Sequence, residues 1–473
     1  MADDILTKID NIVWGIPTII LILLTGIILT IRAHGLQFTK LGLATRLIFK
    51  KNDAEGELSG FSALCTALSA TIGTGNIVGV ATAILNGGPG SLFWMWVAAI
   101  FGTATKFSEC MLAIKYRDIK EDGHVLGGPF LTIEKGMGKK WKFLSYLFSI
   151  FGVMAGLLGI GTMSQINGIT SAIEMAFSSY KELSIAFTIG EKSYSWATVI
   201  GGIIVTLLAA LVILGGLKRI SKVAQSVVPT MAVIYVLLGL SVLAINITHI
   251  PKAFADIFKS AFGYKAVLGG AAGWTVKQVT ESMQKGIARG IFSNEAGLGS
   301  APIAAASVQT DEPVEQGLVN MTGTVIDTLI VCTITGLAIV IALSDPKFEV
   351  GKLEGAQLTS AAFSFVLGVN GVVIKFIIMI CLAFFAFTTI LGWDYYSEKC
   401  LEYITNGRMK LVFIYRLIYI LFIAVGPYLT VNAVFTIADI TNGLMAIPNC
   451  ISLIVLSGVV SNEVKTYFAS LKK

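Results

Sequence analysis

Ala70-Thr71-Ile72-Gly73-Thr74-Gly75-Asn76-Ile77 is a polar, glycine-broken stretch inside an apolar run that extends from about Phe61 to Leu85. The run is long enough for one crossing of a bilayer, where continuous helix would satisfy every backbone group. A second apolar run, Ile287 to Ala306, is interrupted in the same manner by Phe292-Ser293-Asn294-Glu295-Ala296-Gly297-Leu298-Gly299-Ser300-Ala301-Pro302. Backbone released from helical hydrogen bonding at membrane depth is tolerated only where protein or a wet cavity receives it. Two such breaks, in corresponding halves of a chain, point to the central binding site of a secondary transporter.

Composition sets the frame. Of 473 residues, 55% are hydrophobic and 14% charged, and the mean hydropathy is +0.79. Soluble domains carry roughly 25% charged residues, so this is a polytopic membrane protein. The 49 glycines fit close helix packing. Cys65, Cys110, Cys332, Cys381, Cys400 and Cys450 lie mostly in apolar runs without CxxC spacing and read as small buried hydrophobes. His34, His124 and His249 fall in connecting segments, which argues against a membrane-embedded metalloenzyme. The net charge of +6 resides in loops between spans and is no sign of nucleic-acid binding. Ile12 to Ile31 has span length and no small-residue cleavage site after it, so it reads as a helix and not as a signal peptide.

Apolar runs predict about eleven helices, at 11–32, 61–85, 90–114, 143–177, 195–215, 224–247, 284–306, 316–343, 371–396, 411–426 and 428–458. Basic residues then orient them. Arg32, Lys40, Arg46, Lys50 and Lys51 share one face with Lys115, Arg117, Lys120, Lys135, Lys139, Lys140 and Lys142. Lys218, Arg219 and Lys222 join them, as do Lys399, Arg408 and Lys410, and Lys465, Lys472 and Lys473. That face is cytoplasmic by the positive-inside rule, which puts the N-terminus outside and the C-terminus inside. The acidic loop 307–316 and the basic residues Lys252, Lys259, Lys265 and Lys277 of the outer segment run against it.

With the first helix set aside, the broken helices are the first and sixth of ten. This order predicts an all-α fold of two five-helix halves with inverted topology, each led by a discontinuous helix, plus one N-terminal helix. The expected divisions are 1–60 (first helix and connector), 61–247 (first half), 248–283 (extracellular connector), 284–458 (second half) and 459–473 (tail).

At the first break, a half-helix ending near Ala70–Ile72 presents carbonyls and the negative end of its dipole, which suits a cation. The half-helix starting near Asn76 presents N–H groups, which suit a carboxylate. Thr71, Thr74 and Asn76 add neutral polar groups, and Gly73 and Gly75 let a ligand approach the backbone. The set matches a small zwitterion beside a sodium ion; the plainer alternative is a glycine kink that serves packing. In the second break Ser293 and Asn294 supply polar groups, and Phe292 supplies an apolar wall. Glu295 is the costly member, either a buried anchor, paired for example with Arg289, or a proton-coupling group.

A third element, Phe385-Ala386-Phe387-Thr388-Thr389-Ile390-Leu391-Gly392-Trp393-Asp394, places both threonine hydroxyls and the Phe385 carbonyl on one helical face. With the Ser69–Ile72 carbonyls they make an oxygen-only cation site, although paired threonines commonly bond their own helix. Trp393 lies one turn further and is expected to cap a small pocket. Gln165, mid-span in the fourth helix, is a further site candidate; Asn167, Asp327 and Asp439 are intramembrane polar residues ranked below it. No phosphate loop ending in Lys-Ser/Thr is present, which argues against ATP-driven transport.

The stretches 62–77 and 292–302 closely resemble the alanine or glycine:cation symporter family, and Asn86-Gly87-Gly88-Pro89-Gly90 and Gly127-Gly128-Pro129 resemble that family's glycine-rich connectors. The likeness covers nearly the whole chain. It implies a leucine-transporter-like fold and sodium-coupled uptake of alanine, and of glycine or other small neutral amino acids, across the cell membrane, with no cofactor beyond co-transported Na+ and no obligate protein partner. By the same resemblance Gly75 and Asn76 meet the substrate carboxylate. Thr71 and Ser293, with Phe292 and Gln165, surround its amine and side chain, and Ile72, Thr388 and Thr389 hold sodium. A proton-coupled symporter using Glu295 is the alternative. An enzyme using Glu295 or Asp327 would need a second reacting group, which no His, Cys or ligand cluster supplies; a channel or sensor is the remaining class.

Overall fold

The apolar runs fold as helices, because within a bilayer only internal hydrogen bonds can satisfy their peptide groups. The computed structural model describes residues 2–50, 55–121, 123–178, 180, 185–189, 192–263, 272–351 and 353–471; Lys51, Lys265, Lys472 and Lys473 of the charge count lie outside them. In chain order the principal helices are α1 (Ile16–Arg32), α2 (Gly60–Thr71), α3 (Val80–Gly87), α4 (Gly90–Tyr116), α5 (Lys142–Leu158), α6 (Met163–Phe177), α7 (Trp196–Ile213) and α8 (Gly216–Ile245). After them come α9 (Ala272–Asn294), α10 (Ala301–Ala305), α11 (Pro313–Thr324), α12 (Thr333–Leu343), α13 (Gly371–Ile404), α14 (Met409–Val425) and α15 (Val431–Val455).

Among the described residues, nine helical elements are long and apolar enough to cross a membrane, and the bent pair α2–α3 makes a tenth. The eleventh expected crossing is the broken pair α9–α10, whose first helix carries Lys277, Glu281, Lys285 and Arg289 and is therefore less apolar than the rest. Side chains such as Ile203, Leu207 and Leu211 on α7 and Phe413, Leu417 and Leu421 on α14 face outward, the apolar exterior of a multi-pass membrane protein.

Several boundaries differ from the sequence reading. The run 143–177 is not one helix: it unwinds at Gly159–Thr162, between α5 and α6. The cause is close packing on α13, since a Cβ at Gly161 would stand 2.8 Å from the Cβ of Trp393. The broken helix starts at Ala272 instead of near 284, and the connector before it contains a helix, Ile250–Ala261, whose Ala253, Ile257 and Ala261 are buried. α13 continues to Ile404, beyond the expected end near 396. A helix at Gly355–Leu367, absent from the expected set, covers the first break, where Thr359 donates to the Ile77 carbonyl at 3.0 Å. Two short antiparallel hairpins, Asp118–Ile119 with Val125–Leu126 and Ile185–Ile189 with Lys192–Ser195, sit in connectors of an otherwise helical chain.

The helices pack in two groups. α4 lies along α9 and α11, while α13 lies along α5 and α6, with α15 on α5; α2 runs between them, touching α8, α11 and α13. The first break thus sits where the groups meet. All six cysteines are free and buried. The α4–α9 contact depends on Gly286, where a Cβ would lie 2.3 Å from the Ser91 carbonyl oxygen. Gly286→Ala should therefore cost about 1–3 kcal/mol, the usual price of overpacking, seen as a lower unfolding midpoint in detergent; an unchanged midpoint contradicts this packing.

Candidate functional site

α2 ends when Ile72 turns extended (φ −78°, ψ 96°), and the chain resumes as a π-helical turn at Gly75–Gly79 that leads into α3, bent by 48°. Such turns recur at functional sites because they release backbone groups from the regular ladder. Two of the released N–H groups are met by side chains. Gly73 N–H donates to Asn76 Oδ1 at 2.9 Å, and Thr74 N–H donates to Gln165 Oε1 at 3.1 Å. Gln165 in turn donates to the Ile160 carbonyl at 3.0 Å, which ties the first break to the unwound segment before α6. Gly73 is needed because a Cβ there would lie 2.6 Å from Thr389 Oγ1.

The second break turns at Glu295, a non-glycine residue with φ +56°, then at Gly297 and Gly299. Lys106 on α4, almost fully buried, donates to the Asn294 carbonyl at 2.8 Å. It stands at the negative end of the α9 dipole, where an ammonium is favoured. Glu109, one turn on, accepts from Gly297 N–H at 3.0 Å and from Asn449 Nδ2 at 2.6 Å, while Asn449 also donates to the Gly297 carbonyl at 2.9 Å. Glu295 accepts from Ser300 Oγ and from Trp393 Nε1, both at 2.6 Å.

The two breaks meet at Asp327, in a π-helical stretch (Val325–Cys332) between α11 and α12. Its carboxylate accepts from Asn76 Nδ2 at 2.6 Å, from Ser293 Oγ at 2.9 and 3.1 Å, and from Thr328 Oγ1 at 2.6 Å. Asn294 Nδ2 donates to Thr328 Oγ1 at 3.0 Å. Gly75 packs on Phe292 and Ser293 so closely that its Cβ would stand 3.0 Å from the Ser293 Cα. Both breaks are buried throughout.

Beside the first break, Thr389 Oγ1 donates to the Phe385 carbonyl at 3.0 Å and lies 3.4 Å from the Ile72 carbonyl. Thr388 Oγ1 bonds the Phe384 and Phe385 carbonyls at 3.1 and 3.0 Å. Ser69 Oγ bonds the Thr66 carbonyl at 2.7 Å and faces Gly392. The expected oxygen cluster therefore forms across the α2–α13 contact, with Ile72, Phe385 and Thr389 at its centre. In this conformation the threonine hydroxyls bond their own helix, and a cation would take the place of the long Thr389–Ile72 contact.

The other expected residues divide. Thr74 Oγ1 is buried and has no partner among the described residues, so it is free for a ligand. Thr71 Oγ1 bonds back to Ala67 and Leu68. Both ends of the Asn76 amide are engaged, and its backbone N–H makes a long contact of 3.4 Å with the Gly73 carbonyl. Arg289 is not the partner of Glu295: it pairs with Asp439 on α15 at 2.6 and 2.9 Å and lies over Phe292, which stacks on Phe435. The indole N–H of Trp393 is spent on Glu295. Asp327, placed below Gln165 on sequence, joins both breaks, and Lys106 and Glu109 join it as network members that the sequence reading does not single out; all three carry the same signal, a charged residue inside an apolar run.

A family model described as the sodium:alanine symporter family matches residues 1–473. An uncharacterised transporter of Haemophilus influenzae is 48% identical over 99% of this chain and 97% of its own length. The sodium/alanine symporter AgcS of Methanococcus maripaludis is 44% identical over 98% of this chain and 96% of its own. Among solved structures, that of MhsT in complex with L-phenylalanine matches with a TM-score of 0.55 at 13% identity, over 87% of this chain and 99% of that one. This last likeness is one of fold, and the fold is leucine-transporter-like.

Two substitutions test the buried contacts. Asp327→Asn turns one acceptor into a donor facing hydroxyls, and Trp393→Phe leaves Glu295 without its indole partner. Each should cost about 1–3 kcal/mol, as for a buried polar group left unsatisfied, measured by thermal unfolding of the purified protein; wild-type midpoints would show that these bonds do not hold the breaks.

Proposed function

The chain belongs to the sodium:alanine symporter family, and from that premise we propose that it imports alanine, with glycine and other small neutral amino acids as further substrates, together with sodium by alternating access. The observation that carries this reading is the oxygen cluster of Ile72, Phe385 and Thr389 directly against the unwound backbone of Gly73–Asn76. A cation held by Ser69, Ile72, Phe385, Thr388 and Thr389 adds positive charge beside the position of a substrate carboxylate, so that each ligand raises the affinity for the other. Gly75 and Asn76 receive the carboxylate through backbone N–H groups. Thr71, Thr74, Gln165, Phe292, Ser293 and Asn294 enclose the amine and side chain, and Trp393 bounds the pocket from α13.

The halves 61–247 and 284–458, the second lengthened to begin with its broken helix at Ala272, then act as inverted repeats about this site, flanked by 1–60 and 459–473. The protein then works in the cell membrane, and the basic loops support an N-terminus outside and a C-terminus in the cytoplasm. Proton coupling would act through Glu295. That carboxylate is held by Trp393 and Ser300 and interacts with the Lys106 ammonium, which supports an anchoring role instead.

Labelled alanine should accumulate in proteoliposomes under an inward sodium gradient. Uptake indifferent to sodium but driven by an acid-outside gradient would move the coupling ion to the proton. Thr389→Ala should raise the sodium concentration for half-maximal uptake about tenfold, the effect of about 1.4 kcal/mol, while leaving the set of competing amino acids unchanged. Unaltered sodium dependence in this variant places the cation elsewhere.

A further inference from the structure

Asp394 follows Trp393 on α13 and takes part in none of the contacts above. It is fully buried, and neither of its carboxylate oxygens accepts a hydrogen bond from an N–H or O–H donor among the described residues. One helical turn along the same face stands a second buried carboxylate, Glu398. Two carboxylates so placed repel each other unless a proton neutralises one of them. Arg416 on α14 grips Glu398 with two bonds, one from Nε and one from Nη2 at 2.8 Å, so the guanidinium is committed to Glu398. Tyr419, also on α14, donates its hydroxyl to the carbonyls of Ile390 and Gly161 at 2.8 and 3.1 Å. Tyr415 stands beside Tyr419. With its proton the triad is neutral, one carboxylate against one guanidinium. Without it, the triad leaves an uncompensated charge in the protein interior, which is strongly disfavoured.

The pair has a route to water. Glu398 and Arg416 line a cavity of about 190 Å³ together with Glu57, His124, Lys399 and Glu402, whereas Asp394 lies one turn deeper. We propose that Asp394 and Glu398 form a proton-binding site, loaded through this cavity and separate from the oxygen cluster at Ile72, Phe385 and Thr389. The proton bridges one oxygen of each acid and stays with the protein through the cycle. Its departure leaves a buried negative charge on the helix that also carries Phe385, Thr389 and Trp393, and so disfavours the packing that holds those residues against α2. Uptake then slows as pH rises on the side to which the cavity opens.

The proposal rests on the transport reading only for its second test. Infrared spectra of the purified full-length protein should contain a C=O component of a protonated carboxylic acid that Asp394→Asn removes. Glu398→Gln should remove it as well, because Asp394 then ionises as the sole carboxylate partner of Arg416. A band that survives both substitutions overturns the shared proton, whatever the protein transports. In proteoliposomes under a fixed sodium gradient, wild-type uptake should fall several-fold as the pH on the cavity side is raised, and Asp394→Asn should hold the low-pH rate throughout. A wild-type pH profile in Asp394→Asn overturns the control of uptake by this site.

Discussion

The carboxylate of Asp327 takes hydrogen bonds from both broken helices at once, through Asn76 on one side and Ser293 on the other. Interrupting two helices at membrane depth frees peptide groups that no lipid can satisfy, and a central carboxylate solves half of that problem by ordering the side chains that cap them. Asn76 shows the chain of dependence. Its amide nitrogen is fixed by Asp327, which turns its oxygen toward Gly73 N–H and gives that released donor a partner. Other freed groups are met by Gln165 at Thr74, Lys106 at Asn294 and Glu109 at Gly297.

The price of this arrangement is charge in the interior. Lys106 interacts with Glu109, Glu295 and Asp327 alike, and each carboxylate also has hydrogen-bond donors of its own. Buried ionic groups are stable only when paired and fully bonded. A hydrogen-bonded ionic network of this kind fixes geometry more than it adds stability. At Ile72, Gly73 and Thr389 the hydrogen-bond partners among the described residues are neutral, the Asn76 amide and the Phe385 carbonyl among them, the setting that the proposed ion and its co-substrate require.

Much of this was legible in the sequence because the signals are local. Glycines at 73 and 75, and at 297 and 299, break apolar runs within a few residues, and the pair Thr388–Thr389 shares a face with Phe385 by helical spacing alone. The family resemblance at 62–77 and 292–302 was confirmed over the full length. What escaped depends on tertiary partners. Nothing near Asp327 in sequence announces Asn76 or Ser293, and Arg289, close to Glu295 in sequence, pairs with Asp439 instead. Trp393 was read as a pocket wall from its spacing, but its indole N–H reaches Glu295. The unwinding at Gly159–Thr162 had a local signal, Gly-Ile-Gly-Thr, that resembles Gly-Thr-Gly at 73–75; an otherwise continuous apolar run concealed it.

A structure determined with alanine and sodium bound is the most direct test of the site. The expected result is an amino acid with its carboxylate at the backbone of Gly75 and Asn76, enclosed by Phe292 and Ser293, and an ion bridging Ile72, Phe385 and Thr389 while Asp327 still joins the two breaks. An amino acid bound away from both breaks, or an ion with no ligand from α13, would contradict it.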